Sequence, residues 1–141
     1  MNHKMELNNT SQYAIRVLSY IANHSDGKLL SARELSEVLN IPYKFLTKIV
    51  TDLVKENFLI SVRGREGGNK LSRDASEITI MEVLNAFNEF NNQSACILGI
   101  GACDMHKRCA LHDQWVKPKD MIHQMFKNTT LKDLDGENFK I

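Results

Sequence analysis

The chain has 141 residues, 43% of them hydrophobic and 25% charged, with seven glycines and two prolines. This composition excludes a disordered, collagen-like or Pro-rich chain and leaves room for one domain with an appended element. The net charge of +1 hides an uneven distribution, because residues 1–74 carry 11 Lys or Arg against 8 Asp or Glu, and residues 42–73 alone carry seven against three.

At the N-terminus, Met1-Asn2-His3-Lys4-Met5-Glu6 is polar and lacks the apolar core of a signal peptide, so a cytoplasmic protein is expected. Tyr13, Ala14, Val17, Leu18 and Ile21 recur at helical spacing over residues 10–24, and Gly27 closes this first helix. Ser31 stands three residues before Glu34, a capping-box spacing that opens a two-turn second helix over residues 32–39. Asn40-Ile41-Pro42 breaks the pattern, and Pro42 suits the first position of a third helix that runs to about Asn57. On that helix Phe45, Leu46, Ile49, Val50, Leu53 and Val54 share an apolar side, whereas Lys44, Thr47, Lys48, Thr51 and Lys55 share a basic, hydroxylic one. Residues 58–62 read as a strand, 64–69 as a Gly-rich turn and 70–72 as a returning strand, which makes a β-hairpin. Thr79, three residues before Glu82, caps a further helix over residues 80–87.

From residue 91 to 113 the periodicity disappears and the cysteines cluster. The apolar run between Cys96 and Cys103 is far short of the roughly 18 residues of a membrane span, so no membrane partner is expected. Beyond it Trp115, Ile122, Met125 and Phe126 return to helical spacing, with Pro118 starting or kinking that helix. So long a helix lacks an obvious surface to pack on within one small domain, which points to a partner chain. The organisation is therefore mainly α with a small β-hairpin: a winged helix-turn-helix domain over 1–90, a cysteine loop over 91–113, and a dimerisation helix and tail over 114–141.

A helix-turn-helix places its second helix in the DNA major groove, and an adjoining hairpin can reach phosphates or the minor groove. Tyr43, Lys44, Thr47, Lys48 and Thr51 are the candidate groove contacts, since Lys donates to guanine or phosphate and Thr can meet a thymine methyl. Arg63 and Arg65 serve the wing, and Gly64, Gly67 and Gly68 permit positive φ and close approach to a sugar-phosphate backbone. Taken singly, a Lys-rich helix face is usually just solvated and a Gly-rich turn just a turn; their order along the chain is what favours double-stranded DNA as the partner.

The cysteines follow the spacing C-x6-C-x5-C at Cys96, Cys103 and Cys109, with His112 three residues later. Three thiols in an aperiodic loop suit a soft metal, and Zn, Cu(I) and iron-sulfur clusters all stay open on spacing alone, as do three ordinary buried cysteines. Enzyme chemistry has little support: His106 and His112 neighbour Cys109, but no oxyanion-hole motif, Walker loop, GxGxxG or HExxH accompanies them.

Five segments are familiar in this order: Tyr13-Ala14-Ile15-Arg16-Val17-Leu18, Ile41-Pro42-Tyr43-Lys44-Phe45-Leu46, Ser61-Val62-Arg63-Gly64 with Gly67-Gly68, Ile78-Thr79-Ile80-Met81-Glu82-Val83, and Thr130-Leu131-Lys132-Asp133-Leu134. Over nearly its whole length the chain resembles the Rrf2 family of bacterial winged-helix regulators. The resemblance implies a homodimer joined by the C-terminal helix, and an oxygen- or nitric-oxide-sensitive cluster that controls DNA affinity. Residue by residue, it puts Cys96, Cys103 and Cys109 on the family's cluster cysteines. In the IscR-like branch the fourth ligand is a histidine three residues after the third cysteine, here His112, followed by a matching Trp115. In the nitric-oxide-sensing branch it is a carboxylate before the first-helix aromatic, and Gln12 at that place is a poor ligand. The resemblance thus implies a [2Fe-2S] cluster on three thiolates and an imidazole. The wing departs from the family's usual Arg-Gly-Pro-Gly-Gly-Gly, with Arg65 and Glu66 standing where Pro and Gly are expected, and Thr47 stands where IscR carries a glutamate. The operator should differ accordingly. A metal-free or zinc-bound regulator of the same fold, gated by thiol oxidation or by a protein partner, is the alternative.

Overall fold

The computed structural model describes residues 6–24, 26–89, 97–98, 100, 108–134, 136 and 140–141. Helix α1 (Asn9–His24) runs through the centre, with Ala14, Val17, Leu18 and Ile21 fully buried at the spacing the sequence set. Helix α2 (Ala32–Leu39) opens with the expected capping box: the Ser31 hydroxyl accepts the Glu34 N–H, and the Glu34 carboxylate accepts the Ser31 N–H. It stops at Asn40, whose left-handed backbone (φ 52°) turns the chain toward Pro42.

Helix α3 (Tyr43–Lys55) ends two residues before the Asn57 anticipated, at a C-cap on Glu56. Its apolar side is narrower than the sequence suggests. At about 100° per residue, Leu46, Ile49, Val50 and Leu53 fall within an arc of about 100°, and Phe45 and Val54 sit at its two edges. The four central residues are buried, Val54 is half-buried, and Phe45 is 54% exposed. The basic side lies opposite this arc.

Strands β1 (Leu59–Val62) and β2 (Gly68–Leu71) pair antiparallel in the register Leu59↔Leu71, Ile60↔Lys70, Ser61↔Asn69 and Val62↔Gly68. β2 begins two residues earlier than the pattern predicts, with Gly68 pairing Val62 and Asn69 pairing Ser61. A Cβ on Gly67 would collide with the Val62 carbonyl oxygen. Asn69 also bridges Leu30 through paired backbone hydrogen bonds of 3.1 and 2.8 Å, which fasten the hairpin to the segment leading into α2.

Asp74 caps a single 3-10 turn (Ala75–Glu77), and hydrogen bonds from the Ser76 hydroxyl and then its N–H hold the Asp74 carboxyl below the usual carboxylate range. Helix α4 (Ile80–Ala86) starts at Thr79, whose side chain accepts the Glu82 N–H, as the spacing predicts. Helix α5 (His112–Asn128) packs against α4. Pro118 lies inside α5 rather than at its start, so the helix begins six residues earlier and forgoes the hydrogen bond that a Pro118 N–H would give.

After α5 the chain returns to the domain. A 3-10 turn (Leu131–Asp133) buries Leu131 completely, with the Leu131 N–H donating to the Ile78 carbonyl at 3.0 Å and the Ile80 N–H to the Thr129 carbonyl at 2.9 Å. Along α5 itself only His112 is buried, while Val116, Met121 and Met125 are exposed and Phe126 packs on the core. No described helix is long and apolar enough to cross a membrane.

Candidate functional site

The turn from α2 into α3 fixes what α3 presents. The Phe45 and Leu46 N–H groups both donate to the Pro42 carbonyl at 2.9 Å, so the helix begins abruptly and its first residues project outward. Tyr43, Lys44, Lys48 and Thr51 are exposed and Thr47 is half-buried. The Thr47 hydroxyl donates to the Lys44 carbonyl at 3.0 Å, and the Thr51 hydroxyl donates to the Thr47 carbonyl at 2.8 Å. Both hydroxyl hydrogens are committed to the helix, which leaves each threonine an acceptor oxygen and a methyl group to present outward.

The wing stands beside this face. A groove of about 410 Å³ is walled by Ser31 and Ala32 at the start of α2, by Thr47, Val50 and Thr51 on α3, and by the hairpin from Ser61 to Gly64 and Gly67 to Asn69. Arg63 thus lines the same groove as Thr47 and Thr51, while Lys44, Lys48 and Tyr43 flank it on α3 and Arg65 is exposed at the wing tip. Gly64 takes φ 117°, a conformation that L side chains rarely adopt, and this permits the sharp tip between Arg63 and Arg65.

The sequence reading missed Arg33. Its guanidinium lies 5.4 Å from the centroid of the Tyr43 ring, adding a cation from α2 to the α3 face and holding that ring by a cation–π contact. The one available signal was an arginine two residues after the Ser31 cap; its pairing with Tyr43 depends on the angle between the helices.

Of the four expected ligands, Cys109 and His112 are described, and Cys96 and Cys103 lie outside the described residues. Cys109 is half-buried and His112 is only 6% exposed. The His112 N–H donates to the Cys109 carbonyl at 3.1 Å, in the turn that starts α5. His112 and Cys109 thus share one backbone turn, and a thiol and an imidazole are the side-chain types of a soft-metal donor set. Among the described residues no three His, Cys, Asp or Glu side chains gather into a metal-holding group. Further along α5, partial burial and then Lys119 and Lys127 push the His123 imidazole below its ordinary pKa.

Glu89 sits at the threshold of the cysteine segment, and its carboxylate accepts from the Asn8 N–H at 3.1 Å and from the fully buried Ser11 hydroxyl at 2.7 Å. It therefore closes the N-terminus of α1 from across the fold, where the helix dipole favours a negative charge. Glu89→Ala leaves the buried Ser11 hydroxyl without its acceptor and should lower stability by about 1–3 kcal/mol in urea unfolding. A loss below about 0.5 kcal/mol would show that the clasp is not formed in solution.

With this geometry in place, comparison with known proteins is decisive. The family model described as an iron-dependent transcriptional regulator, Rrf2, matches residues 7–136. The chain belongs to the Rrf2 family of transcriptional regulators. Rrf2 proteins are regulators rather than enzymes, which agrees with the sequence expectation. A relative named HTH-type transcriptional regulator NsrR, from Oceanobacillus iheyensis, is 32% identical over 131 residues, covering 92% of this chain and 89% of that one. Among solved structures, the global cysteine regulator CymR of B. subtilis superposes with a TM-score of 0.75 at 18% identity, over 91% of this chain and 94% of that one. IscR of T. potens superposes with a TM-score of 0.71 at 18% identity, over 92% and 85%. At these identities the two structures establish the shared winged-helix fold.

Proposed function

We propose that this Rrf2 protein is a cytoplasmic homodimeric regulator that binds an operator through α3 and the wing, and whose affinity is set by an iron-sulfur cluster, [2Fe-2S], on Cys96, Cys103, Cys109 and His112. The observation that carries this reading is the placing of Thr47, Thr51 and Arg63 on one groove flanked by Lys44 and Lys48, in a chain whose buried His112 adjoins Cys109 at the start of α5. In this reading α3 lies in the major groove, and Arg63 and Arg65 take phosphates. The exposed Met121 and Met125, four residues apart on one side of α5, give a second copy an apolar face to cover, and two-fold pairing would set two α3 helices about 34 Å apart on successive turns of DNA.

When bound, the cluster supplies a redox- and nitric-oxide-labile group, and an imidazole among its ligands raises its potential relative to an all-thiolate set. The chain's part is positional. Cys109 and His112 share the turn that starts α5, and α5 packs against α4 and returns through Leu131 to the core beneath α3. A change in that turn therefore alters the angle between the DNA-reading helices of the two protomers.

The test is a visible absorption spectrum with iron, zinc and sulfide analysis on protein purified without oxygen, beside the Cys103→Ala variant. Stoichiometric iron and sulfide with visible bands, lost in the variant, is the expected result. Colourless protein that takes up no iron on reconstitution would sink the cluster and favour the thiol- or zinc-based alternative. The NsrR-named relative weighs toward the cluster, and the cysteine regulator among the structural neighbours toward the thiol.

A further inference from the structure

A second cavity, of about 660 Å³, lies between α1 and the C-terminal tail and shares no residue with the DNA-facing groove. Ile15, Arg16 and Ser19 supply its α1 wall, and Asp133, Leu134, Lys140 and Ile141 supply the other. The volume falls within the roughly 300–1,000 Å³ of small-molecule sites, and Ile15, Leu134 and Ile141 give it the apolar lining typical of them.

Its polar groups are unevenly satisfied. Ser19 is fully buried, yet its hydroxyl has no hydrogen-bond partner among the described residues, an uncommon and costly state for a buried polar atom. Arg16 is half-buried and gives one guanidinium nitrogen to the Leu39 carbonyl; its other donors meet no acceptor among the described residues. Lys140 makes no ion pair among the described residues. The one acidic side chain on the wall, Asp133, accepts through Oδ2 from the Thr130 N–H at 2.8 Å and the Thr130 hydroxyl at 3.1 Å. Two cations beside apolar walls are complementary to one anionic head on a short hydrocarbon body.

We propose that this cavity binds a small amphipathic carboxylate, its head group held by Arg16 and Lys140 and its chain laid against Ile15, Leu134 and Ile141. The fork of a guanidinium matches a planar carboxylate, and the remaining donors on Arg16 are sufficient for it. Because Arg16 also holds the carbonyl that ends α2, an occupant would act on the residue that leads into α3. That consequence rests on the DNA-binding reading, so binding is measured here without DNA and stands or falls separately.

The experiment uses the full-length protein in its solution assembly, titrated calorimetrically with octanoate and, in parallel, with octanol and octylamine. Octanoate should bind saturably, one per chain, and at least about tenfold more tightly than either control, the worth of one charge-assisted contact. Lys140→Glu should weaken it about tenfold while leaving the thermal transition unchanged, since Lys140 is exposed and in the tail. Ile15→Trp, which fills the cavity from a half-buried position, should abolish it. The proposal is overturned by the absence of saturable octanoate binding, the outcome if a partner protomer covers the cavity, by equal binding of all three amphiphiles, or by undiminished octanoate binding in Lys140→Glu.

Discussion

Lys48→Ala is expected to weaken operator binding by about 30- to 150-fold near 0.15 M salt, and Arg63→Ala by a similar factor. Both side chains are exposed, and Arg63 lies on the groove that Lys48 flanks from α3. In a two-fold dimer each substitution is made twice, so at about 1–1.5 kcal/mol per solvent-exposed phosphate contact, the worth of an ordinary net hydrogen bond, the loss is about 2–3 kcal/mol. Counterion release supplies an independent reading: each variant should lower the salt slope of log K by about 1.8, or 0.9 for each of the two phosphates released. Thr47→Ala should behave otherwise. Its hydroxyl hydrogen is already given to the Lys44 carbonyl, so the substitution removes a methyl group and an acceptor near base edges. Base preference should change at one position per half-site while the salt slope stays where it was. Fluorescence anisotropy across a salt series measures both quantities. An unchanged slope in both Lys48→Ala and Arg63→Ala would mean that DNA does not lie along α3 and the wing.

How far the sequence anticipates this surface depends on the range of the interactions. α1, α2 and α4 were legible because their signals are local: the apolar period of Tyr13 to Ile21, the Ser31–Glu34 box and the Thr79–Glu82 cap each act within a few residues. The basic side of α3 was legible for the same reason, since a helix period alone sets Lys44, Thr47, Lys48 and Thr51 opposite Leu46 and Leu53. Phe45 was misassigned because a wheel cannot say how wide an arc the neighbouring elements cover; the cover takes in Leu46, Ile49, Val50 and Leu53 and part of Val54 but leaves Phe45 exposed. The early start of β2 reflects Leu30 pairing with Asn69, across 39 residues of chain. Arg33 over Tyr43, Glu89 on the start of α1, and the cavity between α1 and the tail are all tertiary, joining segments up to more than a hundred residues apart, and no local pattern announces them. The cysteine triad was read from spacing and resemblance, and of its members only Cys109 falls within the described residues.

Leu131→Ala should lower global stability by about 3 kcal/mol, which for a chain of this length corresponds to about 6–12 °C in Tm. Leu131 is fully buried in the turn that returns the chain from α5, and backbone bonds at Thr129 and at Leu131 itself pin the entry to that turn to Ile80 and Ile78. A truncation there leaves a cavity that the pinned backbone cannot collapse to fill, which is why the cost should approach the middle of the range for buried leucines rather than its floor. The same turn carries the link between α5 and the DNA-binding domain, so its loosening should also uncouple the two. Met121 supplies the contrast, being 64% exposed on α5 in the single chain. If α5 is the dimer contact, Met121→Glu should act through association, and its effect on Tm should shrink as protein concentration rises, whereas that of Leu131→Ala should be nearly independent of concentration. Thermal unfolding at two concentrations about a hundredfold apart, with sedimentation to read the oligomer, separates the two. A Leu131→Ala cost below about 1 kcal/mol would mean that the closing turn is not packed on the core, and the route from the start of α5 to α3 would lose its physical basis.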